Sequence, residues 1–194
     1  MNKLKKQLNK IQKSYFSFAD LRKITQLDDV SLRVAISRLI KAGEISGLAK
    51  GYYCLDRAMV DWQKLALEIY APSYLSFEWA LGQYDILSQK SYALTLATTK
   101  RAKQMEVGDI VISYRHLRSD LFFGYMLKDG YLVAEPEKAF LDLAYLSLNG
   151  YAKFDVEEMN LELLDKSRIK EYLKKFKDKR LSILVENLFP AERF

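Results

Sequence analysis

The stretch that decides the fold is residues 28–55, DDVSLRVAISRLIKAGEISGLAKGYYCL. After an aspartate that can cap a helix, apolar residues recur at helical spacing: Leu32, Ile36, Leu39 and Ile40. Gly43 is placed to end this helix, because glycine readily adopts the left-handed conformation that follows a helix C-terminus. Two short β-prone runs, 45–48 and 52–55, flank the turn at 49–51 and predict a hairpin.

Two more helices are predicted upstream of this stretch. The first has one apolar stripe at i, i+4 and i+7, formed by Leu4, Leu8 and Ile11. The second begins after Ser17, with Asp20 in the N3 position of a capping box. Three helices followed by a hairpin is the element order of a winged helix-turn-helix, and we predict that fold for residues 1–58.

The third helix has a short polar and positive face opposite its apolar stripe. At about 100° per residue, the residues on this face or its flank are Ser31, Arg33, Val34, Ser37, Arg38 and Lys41. Arg38 can pair with a guanine edge and Val34 can contact a thymine methyl. Ser31 and Ser37 can bind bases or phosphates, whereas Arg33 and Lys41 are better placed to bind phosphates. Further candidate contacts to the DNA backbone, from the second helix and the hairpin tip, are Arg22, Lys23 and Lys50.

Charge is unevenly distributed along the chain. Lys and Arg number 31 against 25 Asp and Glu, a net charge of +6. Residues 1–60 hold 12 basic and 5 acidic side chains, a balance of +7, and residues 61–194 hold 19 and 20, a balance of −1. The positive first third favours a polyanionic partner such as double-stranded DNA. A helical bundle with a solvated basic face and a winged helix that binds protein are the alternatives.

Composition narrows the class of protein. With 194 residues, 49% of them apolar and 29% charged, the chain fits one or two ordinary globular domains. A single cysteine excludes a disulfide framework, and a single histidine makes a His-based metal site or a Ser-His-Asp triad hard to build. No run approaches the ~20 apolar residues that cross a bilayer, and no signal-peptide pattern follows the basic N-terminus. We expect a cytoplasmic protein with no cofactor, no metal and no membrane contact.

Common catalytic motifs do not occur in the sequence. It contains no phosphate-binding loop, no G-x-G-x-x-G, no H-E-x-x-H and no G-x-S-x-G. Cys54, in a predicted strand, suits a buried apolar role better than that of a nucleophile. His116 is interpreted as a hydrogen-bonded structural residue or as a contact to phosphate or a partner. The Glu135-Pro136-Glu137 cluster fits helix initiation better than an acid–base pair. We therefore expect that the protein is not an enzyme.

For residues 59–194 we predict a second domain of mixed α and β structure with a helical tail. The predicted fold class of the whole chain is therefore α+β. Residues 56–71 have helical spacing and predict a connecting helix. The β-prone runs are 92–98, 110–114, 121–127 and, after the turn Lys128-Asp129-Gly130, 131–134. Further helices are predicted after Ser76, from Pro136 and in the charged tail from Asp155 onward.

Two basic clusters occur in this second domain. The first flanks predicted strands and is a candidate surface for DNA or a partner: Lys100, Arg101, Lys103, Arg115, His116 and Arg118. The second lies in the tail, where residues 166–180 hold eight basic side chains against Glu171 and Asp178. A solvated helix face, DNA flanking the binding site and an acidic protein surface are all compatible with the tail cluster.

A set of ordered motifs resembles a known family. In the second domain they are Tyr74-Leu75-Ser76-Phe77-Glu78-Trp79-Ala80-Leu81, Thr98-Thr99-Lys100-Arg101, Ser113-Tyr114-Arg115-His116, Phe122-Phe123-Gly124-Tyr125 and residues 134–142, AEPEKAFLD. In the first third they are Gly43-x-Ile45 and Lys50-Gly51-Tyr52-Tyr53. Together they resemble the AbiEi antitoxin family of abortive-infection systems. The resemblance covers nearly the whole chain and is strongest over residues 74–148.

This resemblance implies a type IV antitoxin from a bacterial phage-defence operon. Its partner toxin would be a nucleotidyltransferase encoded beside it, neutralised through the C-terminal domain without a stable complex. The antitoxin would repress its own promoter by binding inverted repeats through the winged helix, which requires dimeric or cooperative binding of two copies. Two other classes remain open: a ligand-responsive winged-helix transcriptional regulator without an antitoxin role, and an enzyme that modifies the toxin or nucleic acid.

Overall fold

The computed structural model describes residues 3–11, 13–89 and 91–190, and the side chains of residues 3 and 4 lie outside the description. In these ranges the chain forms eight α-helices and two β-sheets, which confirms the mixed α and β class. Contacts divide it into two compact units, Met1–Leu65 and Ala66–Phe194, called the first and the second unit below. No helix in the described ranges combines the length and apolarity needed to cross a bilayer.

Among its described residues, the first unit contains three complete α-helices and a small antiparallel sheet. The helices are α1 (Lys3–Asn9), α2 (Phe18–Thr25) and α3 (Asp29–Lys41). The strands are β1 (Phe16–Ser17), β2 (Ser46–Ala49) and β3 (Tyr52–Cys54), in the order β1-β3-β2. The predicted hairpin is therefore present as β2 and β3. Strand β1 was not predicted, because two residues are too few to show the alternation that marks a strand.

Local side-chain chemistry sets the ends of α2 and α3. The Ser17 N–H donates to the Asp20 carboxylate (2.9 Å) and the Asp20 N–H donates to the Ser17 hydroxyl (3.1 Å), so the predicted capping box is confirmed. The carboxylate of Asp28 accepts hydrogen bonds from the N–H groups of Val30 and Ser31, both at 3.0 Å, and caps α3. Gly43, with φ +66°, follows the C-cap residue of α3 as predicted.

The core of the first unit joins all three helices to the sheet. Its buried side chains are Leu8, Phe16, Leu21, Leu32, Ile36, Leu39 and Ile45. The prediction for Ile40 was wrong, since this side chain is 42% exposed. It lies about 80° around the helix from Leu32, at the edge of the apolar stripe and in the last turn, where the core no longer covers it. Leu4, predicted on the stripe of α1, has a side chain outside the described set.

The second unit is built on a six-stranded mixed sheet. Its strands are β4 (Ser73–Leu75), β5 (Leu94–Thr98), β6 (Lys103–Val107), β7 (Ile110–His116), β8 (Tyr125–Lys128) and β9 (Tyr131–Ala134). The order is β6-β7-β5-β4-β9-β8, with β5/β7 and β4/β9 parallel and the other neighbours antiparallel. The strand predicted over 121–127 was wrong in its first half. There Ser119–Leu121 form a 3-10 turn and Gly124 has φ +67°, so the strand begins only at Tyr125.

The remaining helices are α4 (Trp62–Ile69), α5 (Phe77–Gln83), α6 (Pro136–Leu148), α7 (Lys166–Phe176) and α8 (Lys179–Leu188). The prediction of α6 from Pro136 is confirmed. The helix predicted over 56–71 was wrong at its start, where Asp56 caps a 3-10 turn, Arg57–Met59. The prediction of a helical tail from Asp155 onward was wrong at its start. The first α-helix of the tail is α7, which Asp165 caps, and the described segment before it contains the 3-10 turn Leu161–Leu163.

A buried ion pair joins α6 to the central strand β4. Lys138 and Asp142, one turn apart on α6, form an ion pair in which both side chains are fully buried. Asp142 also accepts hydrogen bonds from the hydroxyls of Tyr74 (2.9 Å) and Ser76 (3.0 Å), and the Lys138 ammonium donates to the Tyr74 oxygen (2.9 Å). Burial lowers the pKa of Lys138 and raises the pKa of Asp142, because each charged form loses its hydration. The attraction between the two opposite charges works against both of these shifts.

We expect Lys138→Met to lower the free energy of unfolding by about 3–5 kcal/mol, because it leaves the Asp142 carboxylate buried without its cation. Urea unfolding at neutral pH measures this loss. The matched control is Lys153→Met, at an exposed lysine of the same unit, which should change stability by less than about 0.5 kcal/mol. Equal effects of the two substitutions would contradict a buried charge pair.

Candidate nucleic-acid interface

Helix α3 presents one continuous exposed side. Leu32, Ile36 and Leu39 are buried, so the helical repeat turns the opposite side to solvent. All six residues predicted on this side or its flank are exposed: Ser31, Arg33, Val34, Ser37, Arg38 and Lys41. Within the described part of the chain, neither Arg38 nor Lys41 forms an ion pair. The Arg33 guanidinium lies 5.7 Å from the centre of the Phe18 ring.

One further residue on this exposed side was not predicted from the sequence. Val30 is 73% exposed and lies one turn before Val34, which is 45% exposed. Both valines face away from the buried stripe, so a thymine methyl could meet either of them. The signal was available, because Val30 lies opposite Leu32, Ile36 and Leu39 on a helical wheel.

Helix α2 and the hairpin contribute the other three predicted contacts. Lys23 on α2 and Lys50 at the hairpin tip are exposed. Arg22 is also exposed, and its Nη1 lies 3.5 Å from Oδ1 of Asp29, so this aspartate partly neutralises it. Beside Lys50, Gly51 has φ +81° and its carbonyl accepts the N–H of Phe18 (2.7 Å). This hydrogen bond ties the hairpin turn to the start of α2.

Two other carboxylates of the first unit are engaged in structural contacts. Asp28 caps α3, and hydrogen bonds from the side chain and then the backbone of Ser31 hold the pKa of Asp28 below its usual value. Asp20 completes the cap of α2 and lies 3.0 Å from the ammonium of Lys13. Because both carboxylates point to helix N-termini, the exposed side of α3 toward its C-terminal end keeps the positive charge of Arg38 and Lys41.

The cap of α2 makes stability depend on pH. Partial burial opposes ionisation of Asp20, but hydrogen bonds from Ser17 and Lys13 outweigh it and lower the pKa of Asp20. Its stabilising contribution is therefore complete above the unfolded pKa of about 3.9 and is lost as the pH falls through the lower folded value. We expect Asp20→Asn to be less stable than the wild type at pH 7, with a difference that shrinks as the medium is acidified below about pH 4.

Urea unfolding of the wild type and Asp20→Asn over this pH range measures the difference. Asp109→Asn, at an exposed carboxylate, is the control and should follow the wild type throughout. A difference between wild type and Asp20→Asn that stays constant down to the lowest pH would show that the charge of Asp20 does not stabilise the cap.

The first basic cluster of the second unit lines a single cavity of about 870 Å³, called the cationic cavity below. Five of its six predicted members line the cavity: Arg101, Lys103, Arg115, His116 and Arg118. Three of them come from paired strands, where Lys103 on β6 lies opposite Tyr114 on β7, and Arg115 and His116 follow on β7. Because side chains alternate along a strand, Arg115 lies on the face of the sheet opposite to Lys103 and His116. Lys100 is not among the lining residues, and its ammonium lies 5.1 Å from the centre of the Tyr70 ring.

Two of the four Lys and Arg side chains in the cationic cavity are paired with carboxylates outside its lining. Arg115 lies 2.9 Å from Oε1 of Glu78, and Arg118 forms a two-point contact with Asp120 at 3.0 and 2.6 Å. Arg101 and Lys103 have no acidic partner in the described ranges. Nδ1 of His116 lies 2.9 Å from the Lys100 carbonyl, which can only accept, so Nδ1 carries the proton and Nε2 is left for another partner.

A second wall of the cationic cavity comes from the end of α6 and the residues after it. Its side chains include Tyr145, Asn149 and Tyr151. No local signal links these residues to the basic cluster, which lies about thirty residues or more earlier in the chain. This aromatic and amide wall was therefore not predicted from the sequence.

The tail cluster is partly engaged in packing α7 and α8. Nη1 of Arg168 lies 3.0 Å from Glu135, and Arg180 contacts Asp178 (3.0 Å) and Asn149 (3.1 Å). The Lys175 ammonium lies 4.4 Å from the centre of the Phe123 ring. These three cations hold the tail helices to the rest of the second unit, which reduces the charge left for a partner.

The three other side-chain groups singled out in the sequence have structural contacts. Cys54 is buried, and burial raises the pKa of its thiol. Glu135 accepts a hydrogen bond from the Tyr172 hydroxyl in the middle of α7, and Glu137 accepts the N–H of Asp165 (2.9 Å), the residue that caps α7. Among the described residues, no cluster of three His, Cys, Asp or Glu side chains could hold a metal ion.

Comparison with known proteins provides no family assignment. No protein-family model matches the chain, and no curated protein matches it significantly. Function is therefore inferred from two surfaces, the exposed side of α3 and the cationic cavity.

Proposed function

We propose that this protein is a DNA-binding type IV antitoxin, similar to the AbiEi family, that represses its own promoter and counteracts a nucleotidyltransferase toxin. The observation that carries the DNA-binding part is the exposed side of α3. There Arg38 and Lys41 have no ion-pair partner in the described ranges, while Leu32, Ile36 and Leu39 anchor the opposite side in the core.

In this proposal the first unit is a winged helix-turn-helix. Helix α2, the turn after it and α3 form the helix-turn-helix, and the β2–β3 hairpin is the wing. The major groove of B-DNA is wide enough to admit an α-helix, and α3 would enter it with its exposed side. The hydrogen bond from Phe18 to Gly51 supports a wing held close to α2, with Lys50 at its tip.

The contacts divide into base reading and backbone positioning. Arg38 would pair with a guanine, while Val34 and Val30 would meet thymine methyl groups. Cations on α2 and on the hairpin would contact phosphates, which fixes the register without reading sequence. The balance of +7 over residues 1–60 supports this division, because phosphate neutralisation supplies most non-specific affinity.

The antitoxin part of the proposal depends on the resemblance of the second unit to the AbiEi family. The motifs that carry it surround β4, β5, β7 and the start of α6, and two of them supply Tyr74, Ser76, Lys138 and Asp142 to the buried polar cluster. Binding to inverted repeats would bring two copies of the chain onto one promoter, by dimerisation or cooperatively.

We expect Arg38→Ala to relax the base preference at one operator position and to weaken specific binding by roughly 1–3 kcal/mol. The reason is the loss of a two-point hydrogen bond to a base edge, which no neighbouring side chain replaces. Fluorescence anisotropy with a set of single-base operator variants measures the effect, after thermal unfolding has verified that the variant is folded.

The control for Arg38→Ala is Lys64→Ala, which removes an exposed cation outside α2, α3 and the hairpin. This variant should keep the base preference of the wild type. The assignment of Arg38 would be wrong if Arg38→Ala kept the same preference at every operator position.

The antitoxin role predicts that expressing this chain restores growth of cells that express the nucleotidyltransferase encoded beside its gene. Colony counts with the wild type, with Arg38→Ala and with an empty vector measure the rescue. Because neutralisation is assigned to the second unit, Arg38→Ala should rescue growth when expressed from a foreign promoter. Failure of the wild type to rescue growth, with the protein present and soluble, would refute the antitoxin role.

A second candidate function is a ligand-responsive transcriptional regulator without an antitoxin role. The cationic cavity favours it, because a concave site of about 870 Å³ is large enough for a small ligand. A change of operator affinity caused by a small molecule, together with no rescue from the toxin, would favour this function over the first.

A further inference from the structure

We propose that two copies of this chain associate through strand β8, which pairs antiparallel with the β8 of the second copy. The pairing joins the six-stranded sheet of one copy to that of the other. It uses residues of the second unit alone. Only its expected strength on DNA, given below, rests on the proposed DNA-binding function.

Strand β8 is an edge of the sheet, with β9 as its only neighbour among the described residues. Two of its four side chains are apolar and exposed, Met126 (44% exposed) and Leu127 (71%). The opposite edge strand, β6, exposes the charged residues Lys103 and Glu106. Charged residues on an edge oppose pairing with another chain, whereas an exposed apolar edge is a template for it. Of the two edges, β8 is therefore the one suited to a partner strand.

The hydrogen bonds of the β8–β9 hairpin determine which backbone groups of β8 are free. The N–H of Glu135 donates to the carbonyl of Gly124 (2.9 Å), and the hairpin register, continued by one residue, places these two opposite each other. They are therefore a hydrogen-bonded pair, and such pairs alternate with non-hydrogen-bonded ones in antiparallel strands. Met126 consequently bonds to β9, whereas the N–H and C=O groups of Tyr125 and Leu127 point to the open edge.

These free groups are arranged symmetrically about Met126. When two β8 strands pair antiparallel with Met126 opposite its own copy, each Tyr125 lies opposite the Leu127 of the other chain. The outward N–H and C=O groups of both residues then find partners, in hydrogen-bonded pairs on either side of Met126. A two-fold axis at this position makes the interface self-complementary, as in most homodimers.

The side chains also match in this register. Leu127 lies opposite Leu132 on β9, and both are exposed. Because directly opposite residues share a face of the sheet, pairing places the Tyr125 ring of the second copy beside Leu127 and extends this apolar row. On the other face the two Met126 side chains meet, and methionine adapts readily to such contacts. The association thus covers apolar side chains that one copy leaves in solvent.

Charge favours a second copy of the chain over a strongly charged partner. Residues 124–127 carry no charge, and Lys128 lies opposite Gly124 of the second copy, so this register brings no like charges together. Residues 61–194, which include the whole second unit, hold 19 basic and 20 acidic side chains. Two second units therefore approach without strong net repulsion. An extended apolar segment of a different protein is the competing occupant, and the charge-swap experiment below distinguishes it.

We expect this association to be weak in dilute solution. A pairing of four residues from each copy buries much less than the roughly 1,200 Å² at which stable interfaces begin. If two copies bind neighbouring inverted repeats, as proposed above, the DNA raises their local concentration and favours the contact. The experiments below use the full chain without DNA, so their outcome does not depend on promoter binding.

Disulfide crosslinking tests the register. The native cysteine, Cys54, is buried, so the wild type gives the background. In Met126→Cys the two new thiols face each other in a non-hydrogen-bonded pair, with Cα atoms about 4.5 Å apart, a separation that a disulfide spans. In the matched control Leu127→Cys the two Cα atoms are diagonal neighbours about 7–8 Å apart, which is too far.

After oxidation with diamide, non-reducing electrophoresis should show at least about tenfold more dimer for Met126→Cys than for Leu127→Cys, since only the first pair meets disulfide geometry. Leu127 is the more exposed of the two residues, so random collision predicts the reverse order. Circular dichroism verifies that both variants are folded.

A charge swap at Met126 tests whether the partner is a second copy. Met126→Lys and Met126→Glu each place like charges opposite each other, and each alone should self-associate at least about fivefold more weakly than the wild type. The equimolar mixture should associate at least about fivefold more tightly than either variant alone, because it pairs opposite charges. Sedimentation equilibrium measures these affinities. The control Met59→Lys, at an exposed methionine of the first unit, should associate like the wild type.

Three results would overturn the proposal. They are as much crosslinked dimer from Leu127→Cys as from Met126→Cys, a wild type that stays monomeric up to millimolar concentration, and a charge-swap mixture that associates no better than its components. None of them bears on α3, because Arg38→Ala should associate like the wild type and Met126→Lys should keep its affinity for a duplex with one operator repeat. The two proposals can therefore fail separately.

Discussion

An amphipathic helix that buries one side must expose the other, and α3 is constrained in this way by three side chains. Leu32, Ile36 and Leu39 are buried in the core of the first unit, and burial of each contributes about 1.5–3 kcal/mol. Turning the helix by half a revolution would expose them and bury Arg38 and Lys41, charged groups that have no partner there. The core therefore fixes which side of α3 is open to solvent, and the caps at Asp28 and Gly43 fix its length.

In the second unit, the buried pair of Lys138 and Asp142 has a comparable role. It joins α6 to β4 through the hydroxyls of Tyr74 and Ser76. Because separating a buried ion pair leaves an unpaired charge in the interior, the pair disfavours other positions of α6. The end of the helix held in this way carries the wall of the cationic cavity that includes Tyr145 and Asn149. The fixed position of α6 thus links the interior of the second unit to the shape of the cationic cavity.

Features encoded by neighbouring residues were predictable, and those that depend on distant contacts were not. The Ser17 capping box, an aspartate cap of α3 at residue 28 or 29, and the start of α6 at Pro136 are set within one helical turn, so the sequence alone predicted them. The structure shows that Asp28 is the cap of α3. Strand β6 has mostly exposed, polar residues and is defined by its pairing with β7, which no local pattern reveals. The basic cluster was predicted because most of its members are close in sequence. The cavity that they line together with Tyr151 was not predicted, because that tyrosine lies far along the chain. The exposure of Ile40 depends on where the core ends, which a helical wheel does not show.

We propose above that the exposed side of α3 makes this chain a specific DNA-binding protein. The most direct test of this claim is a titration of the purified full chain with the duplex from upstream of its own gene, and with a duplex of shuffled sequence, over a range of salt concentrations. Specific binding at low salt is predicted, and if six to ten phosphates are neutralised, affinity should fall about 10³–10⁵-fold between 50 and 200 mM salt. Equal affinity for the two duplexes, or no binding to either at low ionic strength, would contradict the claim.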